Sequence, residues 1–326
     1  MLVYIIKRIL LFFPLIVGMA ILVFSLQFMI PGDPAEVFLG QQASPEAVDK
    51  LREKLGLNKH PVVQLGMYMG RLLQGDLGTS IFQDRSVNKA VFERLPATIE
   101  LAVCAIILAT IIGVPLGVAA AIRKGSFFDV VCMAVGQMGV SVPVFWSSIL
   151  LISFFSVKLG LLPSYGREMS LLSAIGSFFV GEPKLLWETI KHLMLPSFAL
   201  GFLSMAYITR TTRSSMISVL KEDYIRTAKA KGLKNIAIVY SHALRNALIP
   251  VVSIMGLQLG ALMGGAVLTE TIFSWPGLGR LIVTAISERD YPLMQGGILV
   301  AATFFAVVNL VVDILYCVID PRIRLK

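Results

Sequence analysis

Long, predominantly apolar runs constrain this chain more than any other feature. Six of them, at residues 9–30, 98–122, 130–157, 190–209, 247–272 and 293–318, reach about 20 residues or more. At about 1.5 Å per residue, a helix of that length crosses a hydrocarbon layer about 30 Å thick. In lipid every backbone N–H and C=O must be satisfied internally, which leaves helices and closed barrels. Barrel strands alternate over about 10 residues, and these runs do not alternate. The chain is therefore expected to be an all-α integral membrane protein with six transmembrane helices. Its composition agrees: 56% of residues are hydrophobic and only 15% charged.

Charge orients the spans. Lys7 and Arg8 precede the first run, and Arg123 and Lys124 follow the second. Basic flanks stay in the cytoplasm, so the N- and C-termini are expected there. The cytoplasmic segments, 1–8, 123–129, 210–246 and 319–326, then hold 15 of the 29 lysines and arginines but only four of the 20 acids. The net charge of +9 thus reports topology and an anionic inner leaflet rather than nucleic-acid binding. The first run is too long for a signal-peptide core, and no A-x-A-like site follows it, so it reads as an uncleaved span. Cys104, Cys132 and Cys317 fall within spans and offer no disulfide framework.

Four regions follow: an N-terminal span (1–30), an external segment (31–96), a core of spans (97–318) that carries the cytoplasmic loop 210–246, and a cytoplasmic tail (319–326). In the external segment, Pro31-Gly32-Asp33-Pro34 stops the first helix. Ser44-Pro45-Glu46 then starts an amphipathic helix with Ser as N-cap, and a second helix follows Pro61. Both carry one apolar face, so the segment reads as a small folded cap. Shorter external loops are expected at 158–189 and 273–292. Pro14, Pro115, Pro143, Pro196 and Pro250 read as kinks that membrane helices tolerate.

Gly256, Gly260 and Gly264 recur every four residues and lay a stripe of small residues on one face of the fifth span. Such a stripe lets a second helix approach closely, either within one bundle or across a subunit interface. Gln258 lies about 160° from the middle of that stripe at 100° per residue. An amide facing lipid is costly, so Gln258 faces a polar partner or a translocation path. Asn309 and Asp313 share one face of the sixth span. Asp313 is expected to reach interfacial water or a basic residue of the 210–246 loop.

The loop 210–246 is polar and basic between two spans. Arg210 to Lys221 reads as a continuation of the fourth helix. Glu222 and Asp223 then open a short new helix, with Lys229 and Lys231 at its end in keeping with the macrodipole and Gly232 as its terminator. Its apolar anchors, Tyr224 and Ile225, suit insertion into a groove on a partner. The segment lacks the broad apolar face of a membrane-surface helix.

These residues carry a resemblance. The run Glu222-Asp223-Tyr224-Ile225-Arg226-Thr227-Ala228-Lys229-Ala230-Lys231-Gly232, with Pro250 beyond it, resembles the "EAA" loop of ABC importer permeases. The wider match is to the dipeptide/oligopeptide/nickel permease family and its B-type subunits. Further pieces are Ile30-Pro31-Gly32-Asp33-Pro34, Gly75-Asp76-Leu77-Gly78, His242 to Ala247, Glu270 to Arg280, Arg289-Asp290-Tyr291-Pro292 and Asp320 to Arg324. The resemblance implies a type I importer (MetI-like) permease core in a bacterial inner membrane. It implies a second homologous permease, two ABC ATPases holding ATP and magnesium, and a periplasmic or lipid-anchored binding protein. Glu222, Asp223, Tyr224, Ile225, Arg226, Thr227, Ala228, Ala230 and Gly232 would couple ATPase closure to the spans. Dipeptides or short oligopeptides are the expected substrates, with nickel, metallophores or glutathione as family alternatives.

No catalytic constellation stands against that reading. There is no G-x-x-x-x-G-K-[ST], so no cofactor is expected on this chain. His60, His192 and His242 are scattered without H-E-x-x-H, and S-x-x-K at Ser86–Lys89 and Ser218–Lys221 lacks its companion motifs. A self-sufficient secondary transporter would call for internal repeats and midplane charges; neither is present.

Overall fold

The computed structural model describes residues 2–29, 32–40 and 43–319, and everything described is helix, turn or loop apart from one isolated bridge between Thr79 and Ser86. It divides into two compact units, Met1–Thr98 with Pro276–Val307, and Ile99–Trp275 with Val308–Lys326. Ile30, Pro31 and residues 320–326, which carry parts of two family motifs, lie outside the described residues, as do the side chains of Asp313 and Cys317.

The first unit contains α1 (Leu2–Leu26), α2 (Pro34–Leu39), α3 (Pro45–Leu55), α4 (Pro61–Leu73), the start of α5 (Val87–Ile122), and, late in the chain, α13 (Leu278–Glu288) and the start of α14 (Tyr291–Ile319). Short-range chemistry sets its helix starts. Asp33 accepts from the Ala35 amide at 2.8 Å, Ser44 from Ala47 at 3.3 Å and His60 from Val62 at 3.4 Å, each with proline opening the helix. Both amphipathic helices expected in the segment 31–96 are therefore present. Ala20 and Phe24 of α1 pack on Tyr68 of α4 and on Leu299, with the Phe24 and Tyr68 rings stacked at 5.6 Å.

Three separated motifs meet in this unit. Asp290, fully buried, accepts from the Ser80 hydroxyl, from the Phe82 amide at 3.3 Å and from Leu293 at 3.2 Å, where it also caps α14. The Arg289 guanidinium lies against Gly32, and the Tyr291 hydroxyl donates to the Gly32 carbonyl at 3.2 Å. Asn88 holds the turn at Gly75–Gly78, accepting from Leu77 and donating to Gly75.

The second unit is organised on α9 (Pro183–Val219), which packs against α6 (Phe127–Ser141), α7 (Val144–Leu151), α8 (Leu171–Phe179) and α12 (Leu244–Ile272). Helix α5 approaches α9 through glycines. A Cβ at Gly201 would sit 2.6 Å from the Ala105 carbonyl oxygen, and one at Gly117 2.6 Å from Thr212 Cβ. Helix α9 continues to Val219, as expected beyond the span 190–209. Two short elements, α10 (Asp223–Ala230) and α11 (Asn235–Ala237), then lead through a π-helical stretch, Ile238–Ala243, into α12.

Among the described residues, four helices are long and apolar enough to cross a membrane: Val87–Ile122, Pro183–Val219, Asn235–Ile272 and the described part of α14. The apolar stretch of α1, Leu10–Leu26, is shorter. The run at 130–157, expected as one span, comprises two helices with a sharp bend between them. Helix α6 meets α7 and its π-helical continuation Ile152–Lys158 at an angle of 109°. The cause is local: Pro143 drives Val142 into an extended conformation and supplies no N–H to continue the helix. The loop expected at 158–189 also contains structure, α8 and the first turns of α9.

Candidate functional site

Helix α10 is short, yet both ends are set by the sequence. Glu222 is its N-cap in extended backbone, Asp223 stands in its first turn and Lys229 in its last. Gly232 follows with φ +76°, and its amide donates to the Lys229 carbonyl at 3.0 Å. A left-handed residue here suits glycine and reverses the chain at low cost.

The helix has two distinct faces. Ile225, fully buried, and Ala228 pack into a cluster with Val118 and Ala121 of α5, Met216 of α9, Ile238 and Ala243 of the π-helical stretch, and Ala247 of α12. Glu222, Asp223, Tyr224, Arg226, Thr227, Ala230 and Gly232 are exposed. Tyr224 is steadied by Asn246, whose Nδ2 lies 2.7 Å from its hydroxyl. This corrects the reading of Ile225 as a partner-facing anchor. Its side chain fastens α10 to its own chain, and Tyr224 is the apolar group left outside. Periodicity alone does not say which of two adjacent apolar residues turns inward.

A second contact bears on this region and was not singled out by sequence reasoning. Asp129, in the first turn of α6, receives Arg213 of α9 through two hydrogen bonds, at 2.5 and 2.7 Å, and the Gly125 amide at 2.9 Å. The pair ties the turn between α5 and α6 to the part of α9 that leads into α10. The available signal was the solitary acid in segment 123–129, but its partner lies 84 residues away.

The glycine stripe separates into two parts. At Gly256 an added Cβ would lie 2.4 Å from Val312 Cγ1, so that glycine serves close packing with α14 inside this chain. Gly260 is buried, whereas Gly264 is exposed with open space around it. Gln258 donates from Nε2 to Ser204 Oγ on α9 at 3.2 Å, so its amide has a polar partner within the bundle. Asn309 is partly exposed on α14. Among the described residues, no three His, Cys, Asp or Glu side chains are grouped to hold a metal.

Comparison with known proteins places this geometry. Residues 113–325 match the family model described as "Binding-protein-dependent transport system inner membrane component". Residues 1–102 match the model for the N-terminal part of such membrane components. The chain is 49% identical over 332 residues to the dipeptide transport system permease protein DppB of Alkalihalophilus pseudofirmus, covering 99% of this chain and 100% of the relative. It is 44% identical over 338 residues to the protein of the same name in Escherichia coli, covering 100% of each. It is 45% identical over 333 residues to the di/tripeptide transport system permease protein DppB of Pseudomonas aeruginosa, covering 99% of each.

Proposed function

The chain belongs to the binding-protein-dependent transport system inner membrane components, and on that premise we propose that it is the channel subunit of an ATP-driven importer of dipeptides or short oligopeptides. It is a multi-pass membrane transport component rather than an enzyme. In this reading six spans cross the bacterial inner membrane with both termini in the cytoplasm, and residues 31–96 form an external cap. A second, homologous permease completes the path, two ABC ATPases supply the energy, and an external binding protein delivers the peptide. ATP and magnesium stay on the ATPases.

The observation that carries the reading is the division of α10 into a buried anchor and an exposed polar face. A helix clamped through Ile225 and Ala228 moves with the cytoplasmic ends of α5, α9 and α12. Whatever seats on Tyr224, Arg226 and Thr227 therefore pushes on the spans. Helices packed this closely shift as units rather than deform continuously. An ATPase pair that binds ATP better in one permease conformation then shifts the population of permeases towards it. The Asp129–Arg213 pair extends the same clamp to α6.

The test is reconstitution of the chain with its partners in liposomes and measurement of ATP-dependent uptake of a labelled dipeptide. Gly232→Val is the informative variant. The space around Gly232 is open, so only the left-handed backbone is opposed. Uptake should fall while ATP hydrolysis continues and membrane insertion is unchanged. Uptake by the chain alone, without ATP or any partner, would overturn the reading.

A further inference from the structure

Helix α8 has a surface that the transport reading does not use. Its sequence, Leu171 to Phe179, carries no charge, and neither do Val180 and Gly181 after it. Ala174 is fully buried, in keeping with the packing of α8 on α9. Leu172, Phe179 and Val180 are more than 80% exposed, and Ile175 and Phe178 about half.

At 100° per residue, Leu172, Ile175, Phe178 and Phe179 share an arc of about 120°. Ser170, Ser173 and Ser177 occupy about 60° on the opposite side. Their hydroxyls are already satisfied locally. Ser170 Oγ lies 2.6 Å from Ser173 Oγ and accepts from the Ser173 amide at 3.1 Å, and Ser177 donates to the Ala174 carbonyl at 2.8 Å. The helix thus has one side for α9, one for water and one that water does not suit.

We propose that the apolar side of α8 is seated in lipid, with the helix lying flat in the bilayer interface at the N-terminal end of α9. Continuity with the span selects this occupant. After α8 only Val180 to Glu182 intervene before α9, whose own exposed surface continues with Trp187 and Met194. Lys191 reaches over the Trp187 ring at 5.7 Å, an aromatic and cation pairing that suits the headgroup level. Helix α9 holds 37 residues, about 55 Å at 1.5 Å per residue, so its ends must project beyond a layer about 30 Å thick. A neighbour packed near its start therefore lies close to the boundary. A helix there with one apolar arc buries that arc about 5–10 Å deep and keeps its polar arc in water. The inference rests on α9 being a span and not on the nature of the transported substrate.

The experiment places single spin labels on the full chain, with native cysteines replaced by alanine, in lipid nanodiscs with its partners. Accessibility to oxygen is compared with accessibility to a water-soluble nickel chelate. Labels at Leu172, Ile175 and Phe179 should favour oxygen, labels at Ser173 and Ser177 should favour nickel, and Met194 serves as the control within the span. Nickel access at Leu172, Ile175 and Phe179 places the face in water and overturns the proposal. Protection from both reagents there means a protein covers it, and overturns it equally. Nickel access at Met194 would refute the span itself, a separately recognisable failure. As a label-free measurement, the added fluorescence of Phe179→Trp should be quenched more by lipids brominated at shallow acyl positions than at deep ones. Absence of quenching by either would contradict the proposal.

Discussion

Ile225→Ala isolates the role assigned to the inner face of α10. An eight-residue helix has little stability of its own. The ion pair on it among the described residues, Arg226 with Asp223 at 3.3 Å, is exposed on both sides and contributes little. Tertiary docking must therefore hold it, and Ile225 is its largest fully buried side chain. Truncating a core isoleucine to alanine costs about 2–5 kcal/mol, because transfer energy is lost and a cavity remains. At about 1.4 kcal/mol per tenfold, the undocked population of α10 rises about 30-fold to more than a thousandfold. Hydrogen exchange on the purified chain reads this directly. Amides of residues 223–230 should exchange faster by that ratio, while those within α5 and α9 stay protected. In the reconstituted complex, more ATP should be hydrolysed per peptide moved. Tyr224→Ala, on the outer face, should leave exchange in α10 near wild type and weaken only retention of the ATPase. Wild-type protection of residues 223–230 in Ile225→Ala would refute the docking argument.

Gly256→Ala forces a methyl group onto Val312 and should cost about 1–3 kcal/mol. Gly264→Ala meets nothing and should leave the thermal unfolding midpoint in detergent level or raised; a larger loss at Gly264 would reverse the packing assignment. Asp290→Ala removes the acceptor of the Phe82 and Leu293 amides, about 1–3 kcal/mol for each donor left buried and unpaired. Protease cleavage between residues 80 and 86 should accelerate, while loop 158–170 is cut at an unchanged rate. Asp129→Arg should reduce coupled transport by placing two guanidinium groups together, and Asp129→Arg with Arg213→Asp should restore part of it. Equal uptake by the single and double variants would show that the pair does not transmit motion.

Local chemistry made much of this protein legible in one dimension. Apolar runs matched to bilayer thickness announced the four described helices long enough to cross a membrane. Ser44 and Gly232 announced helix ends, because caps and left-handed turns depend on residues within a few positions. The polar loop 210–246 stood out because nothing in lipid tolerates it. Other features waited for tertiary structure. The inward turn of Ile225 depends on α5, α9 and α12 converging behind it. Gly256 is set apart from Gly264 by the position of Val312, 56 residues on. Gln258 finds its partner on α9, and Asp290 reaches Ser80 across 210 positions. The size of the bend at Pro143 also required coordinates, since proline breaks a helix without stating the angle. Periodicity specifies which residues share a face of an element. Which neighbour covers that face is settled only when distant elements pack, because burial and pairing are properties of the assembled chain.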